Sequence, residues 1–399
     1  MTQYTTAVMV KAMKIQEVIL KAISKQIHWT EAADIIGVSY RTMKRWKCRY
    51  QQYGYDGLFD RRGKIPSPKR VALQELERIL TLYREQYMGF NVTHFHEKLR
   101  DQGIHRGYTF VKKALQSAGL VEKSKTRGHY HKRRPRRPLR GMMLHLDGSS
   151  HAWIPALPDQ RFDLLVLMDD ATNEIYEMEL VPEEDTLSCM KLLKECIQKQ
   201  GIFCSLYTDR ASHFFLTPVA GQPVKEDHLT QIGRALNELG ITAIPSYQVQ
   251  GRGRSERMNG TLQGRLPNEL RLDGIKTKEE ANQFIKKVYL PQHNKRFTVQ
   301  PDQSGSAFIP VADHLNLDLI FSIKDQRTVN PDNTLQFQRL TLQIPASSLR
   351  VSFARCRVIV HQHIDHTLTI TFGPHVIGRY DSSGNPLMAK NHCSYRRAA

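Results

Sequence analysis

The order of the apolar segments between residues 142 and 272 constrains the fold more than any other feature of this 399-residue chain. Three strand-like runs come first, and helical and strand-like segments then alternate. The predicted strands are 142–147, 162–169, 175–181, 203–209 and 242–245, and the predicted helices are 186–199, 229–239 and about 255–272. Consecutive strands can form an antiparallel meander, whereas strands separated by helices are expected to run parallel. The order therefore predicts an α/β core with a mixed sheet, which is the layout of ribonuclease-H-like folds.

Three acidic residues lie at the ends of these elements. Asp147 closes the first strand, Asp209 closes the fourth, and Glu256 opens the last helix. In this layout the first and fourth strands are neighbours and the closing helix packs beside them. Three converging carboxylates repel each other unless cations lie between them, and two divalent metals held by carboxylates are a recurring device for cutting and joining phosphodiesters. Asn259 and Gln263 fall on the same helix face as Glu256 and are expected to line the site.

Each acid has a plainer interpretation, because a strand end or a helix N-terminus often carries a local cap or a surface charge. Other acids also compete for the role. Asp169 and Asp170 are more typical of a hairpin turn, and Glu238 comes too early to lie on the closing helix. No Walker A pattern occurs, so the sequence does not indicate use of ATP.

The formal net charge of +19 is concentrated in the first third of the chain. Residues 1–140 carry 30 Lys and Arg against 11 Asp and Glu, and the remainder carries 28 of each. A basic front end on a neutral body indicates a module that binds a polyanion, joined to a domain with another task.

The first 63 residues predict a helix-turn-helix domain. A helix at 8–27 precedes a short helix that begins after Thr30 and ends at Gly37, and Ser39 caps a second helix over 40–53. The apolar face of that second helix anchors the core with Met43, Trp46 and Tyr50. Its other face is expected to enter a DNA major groove with Tyr40, Arg41, Lys44 and Lys47. The alternative is an ordinary helical hairpin with a solvated basic face.

Residues 70–122 predict a second helix-turn-helix domain, possibly winged. Residues 61–68 form a linker before it, and its helices are expected at 75–87, 93–101 and 108–118. The last of these is interpreted as another recognition helix, with Lys112 and Lys113 exposed toward DNA. Two such modules would cover a longer DNA site than one.

Residues 123–140 form a basic linker in which nine of the eighteen residues are Lys or Arg and none is acidic. Such a segment is expected to wrap along phosphates when DNA is bound, or to be a solvated connection between domains. Its candidate DNA contacts are Arg133, Arg134, Arg136 and Arg137, and those around Glu256 are Arg252, Arg254 and Arg257.

The core is expected to occupy residues 141–300, and a small antiparallel β-barrel residues 325–388. The predicted strands of the barrel are 337–344, 350–353, 357–363, 367–372 and 375–380. Four histidines, at 361, 363, 366 and 375, raise a metal hypothesis. The polar face of a strand explains them better, because Cys or acidic partners at ligand spacing are missing.

Six scattered cysteines without a C-x-x-C pair indicate a reducing compartment. The sequence has neither a signal-peptide pattern nor an apolar run of about 18 residues, so no membrane association is expected. The predicted location is the bacterial cytoplasm, in association with the nucleoid.

Four segments, 144–149, 165–172, 207–214 and 251–263, together resemble the integrase-type core of DDE transposases from bacterial insertion sequences, most closely the ISNCY group. The resemblance implies that Asp147, Asp209 and Glu256 are a catalytic triad that binds two Mg²⁺ ions, with Mn²⁺ able to substitute. It also implies binding to the terminal inverted repeats of the element, cleavage that exposes 3′-hydroxyl ends, and their joining to target DNA. An assembly of at least a dimer on double-stranded DNA is expected, without ATP. The chain departs from the usual pattern in having Asp209-Arg210-Ala211 where Asp-Asn-Gly is common.

Two other functions remain open. One is a DNA-binding regulator with an inactive integrase-like core, which would bind DNA through its helix-turn-helix modules without cleaving it. A metal nuclease with little sequence preference would need no paired helix-turn-helix modules. The role of His213 is also open between contact with scissile DNA and simple packing.

Overall fold

The computed structural model describes residues 6–59, 71–123, 134–216, 229–247 and 253–387. The chain divides into two compact units, Met1–Arg78 and Ile79–Ala399. The predicted linker at 61–68, most of the basic linker, most of the loop after Phe214 and the extreme C-terminus lie outside the described residues. Within the described part, no helix has the length and apolar character needed to cross a membrane.

The first unit is built on three helices, α1 (Thr6–Ile23), α2 (Trp29–Ile36) and α3 (Tyr40–Tyr53). The turn between α2 and α3 follows the sequence closely. Gly37 has a φ of +74°, and the Ser39 hydroxyl accepts a hydrogen bond from the Thr42 backbone N–H at 3.3 Å. The predicted N-cap at Thr30 is wrong, because α2 begins at Trp29. His28 is the N-cap, and its N–H donates to the Glu31 carboxylate at 2.8 Å.

The apolar face of α3 holds this unit together. Met43 is fully buried, and Trp46 and Tyr50 pack against the same cluster as Ile15 and Ile19 of α1. Burial of this face leaves the opposite face of α3 at the surface, as the periodicity of the sequence predicts.

The second unit contains a five-stranded mixed sheet. Its strands are β1 (Leu144–His151), β2 (Phe162–Asp169), β3 (Ile175–Val181), β4 (Ser205–Thr208) and β5 (Thr242–Pro245), in the order β3-β2-β1-β4-β5. β1, β2 and β3 pair antiparallel, whereas β4 runs parallel to both β1 and β5. The predicted meander and the predicted adjacency of the first and fourth strands are both present.

Helices cover both faces of this sheet. They are α7 (Thr186–Gln200), α8 (Gln231–Glu238), α9 (Gly253–Gln263), α10 (Leu266–Leu272), α11 (Lys278–Phe284) and α12 (Leu290–Phe297). Leu165 and Leu167 of β2 face the cluster that contains α7 and α8 residues, whereas Leu164 and Val166 face the cluster that contains α9 and α10 residues. A strand buried on both faces reads as a continuous apolar run, which is why β2 is plain in the sequence.

The single closing helix predicted over 255–272 is wrong in one respect. The chain breaks between α9 and α10, where Arg265 adopts a non-helical conformation and Pro267 follows in the first turn of α10. Proline lacks the N–H that would continue the helical ladder and is well accommodated only in a first turn.

Three more helices lie between α3 and β1 in the sequence. They are α4 (Leu73–Glu85), α5 (Val92–Asp101) and α6 (Tyr108–Ser117). They pack around Phe95, Leu99 and Leu115, and no wing strand follows α6 among the residues described up to 123. The predicted second helical module is therefore a set of three helices in the described part of the chain.

Helix α5 is docked on α10 through partly buried charges. The His94 Nε2 lies 2.6 Å from Glu269 Oε1, and Lys98 Nζ donates to Glu269 Oε2 at 2.7 Å. Arg265 donates to Glu97 at 2.6 Å. Burial would raise the pKa of Glu269, but the bonds from His94 and Lys98 lower it below its usual range. These bonds hold the helical module against the sheet domain within the second unit.

The C-terminal part begins with α13 (Leu317–Ile320) and continues as antiparallel strands. These are β6 (Ile323–Thr328), β7 (Thr334–Phe337), β8 (Leu340–Gln343), β9 (Arg357–Gln362), β10 (Leu368–Phe372) and β11 (His375–Tyr380). They form a four-stranded sheet, β11-β10-β9-β6, and a separate hairpin, β7-β8. The predicted fold class is confirmed, but in the described residues the C-terminal sheets do not close into a barrel. Predicted strand 337–344 contains the hairpin turn, where Gln338 has a φ of +53°, and 350–353 forms no strand.

Candidate active site

The pairing of β1 with β4 brings two of the predicted acids to one place. Leu144 lies opposite Leu206 and His145 lies opposite Tyr207 in parallel register. Continued by two residues, this register sets Asp147 opposite Asp209, immediately after β4 ends. Asp147 is 7% exposed, and Asp209 Oδ1 accepts a hydrogen bond from the Ala211 N–H at 3.0 Å.

Helix α9 lies against β1 at this point. The Asn259 Nδ2 donates to Asp147 Oδ2 at 2.8 Å, and the Gln263 Nε2 donates to Ser149 Oγ at 2.9 Å. Both residues lie on the helix face that the sequence assigns to the site. Glu256 is exposed and precedes Asn259 by three residues, which is about one helical turn.

The three acids lie on neighbouring elements, but their carboxylates do not all lie within 4.8 Å of one another. In the part of the chain that the structure describes, the only trio of His, Cys, Asp or Glu ligand atoms within 4.8 Å of one another is formed by Glu184, Cys189 and His213. Asp147, Asp209 and Glu256 do not form such a trio, so at least one of the distances between their carboxylates exceeds 4.8 Å. Such a separation fits three like charges, which repel at close range.

Glu184 is a residue of this region that sequence reasoning missed. A Cβ on Gly148, the residue after Asp147, would overlap the Glu184 Oε2, so this carboxylate is seated on the β1 backbone. The His213 Nε2 lies 3.0 Å from Glu184 Oε1, and the His213 ring packs on Phe214. Glu184 belongs to no motif, and its only sequence signal is an acid in the turn before α7.

A second centre forms around Asp170, which is fully buried after β2. Its carboxylate accepts from the Arg137 N–H at 2.8 Å and lies 2.8 Å from the His145 Nε2, and it is ion-paired with Arg134 and Arg254. Burial would raise the pKa of Asp170, but the hydrogen bonds from His145, Arg137 and Arg254 hold it well below its usual range. The sequence predicts the hairpin turn here but not this role.

Several arginines predicted to contact DNA are held by this turn. Arg134 and Arg254 pair with Asp170, and Arg136 donates to the Ala171 carbonyl at 3.0 Å and to Asn173 Oδ1 at 2.8 Å. The described end of the basic linker is thus packed on the protein, because Asp170 offers buried acceptors there. Arg137 and Arg257 are exposed, and Arg133 and Arg252 lie outside the described residues.

The helical candidates for DNA contact lie mostly at the surface. Tyr40 is 52% exposed, and Arg41 and Lys44 are exposed on the same face of α3. The Lys47 Nζ lies 4.5 Å from the centre of the Trp29 ring, so this ammonium is partly committed to an aromatic contact. In α6, Lys113 is exposed but Lys112 is half-buried, which differs from the prediction.

Two of the C-terminal histidines, His361 and His363, make hydrogen bonds within the C-terminal part of the fold. His361 is buried with its Nδ1 3.0 Å from Ser322 Oγ and its Nε2 3.0 Å from Thr371 Oγ1, and the His363 Nε2 lies 2.8 Å from Thr369 Oγ1. Burial next to Lys324 lowers the pKa of His361 to about 4.

Comparisons with known proteins give one match to a short N-terminal segment and two matches to most of the chain. Residues 16–64 match the family described as helix-turn-helix domain. Over nearly the full length, the chain is 29% identical to a Sinorhizobium fredii protein provisionally named transposase y4bF, across 90% of this chain and 78% of that protein. It is 28% identical to the transposase for insertion sequence IS1202 of Streptococcus pneumoniae, across 80% and 75% respectively. The predicted resemblance to insertion-sequence transposases is confirmed. These relatives support a DNA transposase, while the finer placement in the ISNCY group stays a prediction.

Solved structures give weaker matches. The HTLV-2 integrase catalytic core domain in complex with magnesium aligns at 14% identity and a TM-score of 0.29, over 38% of this chain and 91% of that one. A chain of the simian T-cell lymphotropic virus intasome, in complex with the PP2A regulatory subunit B56 gamma, aligns at 14% identity and a TM-score of 0.30, over 71% and 91%. Scores this low carry no argument about chemistry.

Proposed function

We propose that this chain is a metal-dependent DDE transposase, which cleaves the ends of its own mobile element and joins them to target DNA. The observation that carries the proposal is the arrangement of the neighbouring strands β1 and β4 and helix α9. Continued two residues beyond its last pair, His145 with Tyr207, the β1–β4 register sets Asp147 opposite Asp209. Asn259, about one turn from Glu256, donates to Asp147. The similarity to transposases over most of the chain agrees with this assignment.

The donor set fits a hard divalent cation. Asp147, Asp209 and Glu256 offer carboxylate oxygens only, which suits Mg²⁺ and, with similar preferences, Mn²⁺. Asp147 is only 7% exposed, so its carboxylate has lost most of its contact with water and a bound cation would stabilise its charge. Asp147, Asp209 and Glu256 together would hold two such ions.

The roles of the residues follow from their positions. When bound, a pair of Mg²⁺ ions would make water, or a DNA 3′-hydroxyl, a stronger nucleophile and stabilise the oxygen that leaves phosphorus. Asp147 and Asp209 would hold the ions from the sheet, and Glu256 would close the site from α9. Asn259 would orient the Asp147 carboxylate through its 2.8 Å bond, as partners of metal-binding carboxylates commonly do. Exposed Arg257 lies beside Glu256, where DNA phosphates would pass.

DNA recognition is assigned to the helical modules. The exposed face of α3 with Arg41 and Lys44 would read the terminal inverted repeats, and α6 would add contacts through Lys113. Because α5 is docked on α10, the second module would present bound DNA at a fixed place relative to the sheet. Joining two element ends requires at least a dimer on DNA, and such an enzyme works where chromosomal DNA lies, in the bacterial cytoplasm.

The test uses the full chain with DNA that carries the ends of its element. Asp147→Asn, Asp209→Asn and Glu256→Gln should each abolish Mg²⁺-dependent cleavage and strand transfer while retaining binding in a gel-shift assay. Glu279→Gln, an equivalent change at an exposed acid of α11, should keep full activity. Mn²⁺ should support cleavage and EDTA should stop it. Cleavage by all three active-site variants would reject the proposal.

The same experiment separates the second candidate, a DNA-binding regulator. A regulator would bind the element ends in the gel shift and show no cleavage in either metal, even as the unchanged protein. Light scattering with and without end DNA gives the assembly, which should be at least dimeric with DNA.

A further inference from the structure

A second cluster of ligand-bearing side chains lies beside the proposed active site. Glu184 comes from the turn after β3, Cys189 from the first turn of α7, and His213 from the segment after β4. The Glu184 Oε1 lies 3.0 Å from His213 Nε2 and 3.8 Å from Cys189 Sγ. An oxygen and a sulfur donor from the start of α7 thus meet a nitrogen donor from the segment after β4.

These side chains are held in place by their surroundings. Cys189 is fully buried, whereas the side chains of His213 and Glu184 keep 15% and 21% of their exposure. The Glu184 carboxylate is fixed against Gly148, and its backbone N–H donates to Asp163 Oδ2 at 2.8 Å. His213 packs on Phe214 with ring centres 4.3 Å apart. The cluster is therefore closed on the Cys189 side and open to solvent on the other.

The spacing matches a tetrahedral metal centre. Zinc bonds of about 2.3 Å to sulfur and about 2.0–2.1 Å to nitrogen and oxygen place an N···O edge at about 3.3 Å and an S···O edge at about 3.6 Å. The observed separations of 3.0 Å and 3.8 Å lie within a few tenths of an ångström of these values. Small side-chain adjustments would complete three sites of a tetrahedron and leave the fourth open.

We propose that Glu184, Cys189 and His213 bind one Zn²⁺ ion, separate from the carboxylate-bound cations of the proposed active site. A mixed S, N, O donor set suits zinc and disfavours Mg²⁺, which prefers oxygen alone. A thiolate, a carboxylate and a neutral imidazole would balance the two positive charges. Without a cation, burial raises the pKa of Cys189, and the neighbouring carboxylates of Glu184 and Asp185 add to this, so the thiol stays protonated.

The bound ion would act as a clip. It would join the start of α7 to the segment that follows Asp209, since His213 lies four residues after that acid. The segment would then lose freedom relative to the sheet, which favours a fixed position for Asp209. Zinc binding itself needs neither DNA nor cleavage, so it stands apart from the proposed function.

The test titrates Co²⁺, as a spectroscopic probe for Zn²⁺, into metal-free full-length protein. One equivalent should produce a thiolate-to-cobalt charge-transfer band, and one equivalent of Zn²⁺ should remove it. The band should be lost in Cys189→Ser and kept in Cys196→Ser, a matched change at an equally buried cysteine of α7. His213→Ala should weaken Co²⁺ binding by at least about tenfold.

The proposal is overturned if the unchanged protein gives no such band, or if Cys189→Ser gives the same band. Circular dichroism shows whether Cys189→Ser is folded, and if it is not, the partly exposed His213→Ala decides by the same criterion. Co²⁺ bound at Asp147, Asp209 and Glu256 would lack a thiolate ligand and would not produce the band. A failure of the zinc site is thus distinguishable from a failure of the catalytic site.

Discussion

Asn259 on α9 donates a hydrogen bond from Nδ2 to Oδ2 of Asp147 on β1, across 2.8 Å and 112 residues of sequence. This bond ties the helix that carries Glu256 to the strand that carries Asp147. Loss of this bond is expected to loosen the position of Glu256 relative to Asp147.

Asn259→Ala should therefore weaken catalysis without removing a metal ligand. Loss of a partner that orients a metal-binding carboxylate lowers metal affinity or activity by about 10–100-fold. We expect a higher Mg²⁺ concentration for half-maximal cleavage, measured by titration of Mg²⁺ into the cleavage assay, with unchanged binding of end DNA. The same Mg²⁺ dependence in variant and unchanged protein would argue against a positioning role.

Asp170→Asn should destabilise the second unit. The change removes the buried negative charge that pairs with Arg134 and Arg254 and accepts from His145. Loss of one partner in such a cluster costs about 3–5 kcal/mol, and we expect the lower end because Arg134 is one-third exposed. Urea unfolding measures the effect, and Asp302→Asn on the surface is the control. Equal stability of the two variants would show that the cluster contributes little.

The depressed pKa of Asp170 also sets the sign of a pH effect. A carboxyl whose folded pKa lies below its unfolded value, about 3.9, stabilises the fold above that pH. This stabilisation is lost as the pH falls below about 4. The stability difference between the unchanged protein and Asp170→Asn should therefore shrink on acidification.

His361 predicts a pH effect in a higher window. Burial lowers its pKa to about 4, near Lys324, His363 and Arg234, so the unfolded chain binds a proton there more readily than the fold. The stability that neutral His361 gives is complete above about pH 6.5 and is lost as the pH falls toward 4, by up to about 3 kcal/mol. Thermal unfolding measures the effect, with the exposed His375→Gln variant as the control. Between about pH 6.5 and pH 4, His361→Gln should lose less stability than this control.

The recognition face of α3 predicts a change in salt dependence. Arg41→Ala and Lys44→Ala should each weaken DNA binding, and loss of a phosphate contact lowers the slope of log affinity against log salt by about one. Lys14→Ala, an exposed lysine of α1, is the control in fluorescence anisotropy. Unchanged affinity in both α3 variants would remove this face from the interface.

Much of the fold is legible in the sequence where local signals and tertiary packing agree. β2, β3, β5 and α3 have the predicted bounds, because strong apolar runs or a Ser39 cap define them. β6 was missed, since Ile323 begins a strand that otherwise consists of polar residues. The predicted strand 337–344 includes β8 and only the last residue of β7, because nothing in the sequence marks Gln338 as a residue with positive φ.

The same distinction between local signals and tertiary contacts applies to the candidate site. The pairing of β1 with β4 and the helix face of Asn259 follow from strand order and helical spacing, which a sequence carries. The prediction that Asp147 closes the first strand is wrong, because β1 stays paired with β2 as far as His151. The partners of Asp170 and the meeting of Glu184, Cys189 and His213 depend on contacts between distant segments that no local pattern encodes. Arg134 and Arg254 illustrate this limit. The basic segments that contain them predict DNA contacts, whereas in the folded chain both pair with Asp170.

The central claim is that Asp147, Asp209 and Glu256 share a pair of cations. Anomalous difference maps from crystals of the DNA-bound protein soaked in Mn²⁺ test it most directly. We predict two peaks about 3.5–4 Å apart, bounded by oxygens of all three carboxylates. Peaks that involve only one of these residues, or no peak between β1, β4 and α9, would contradict the account.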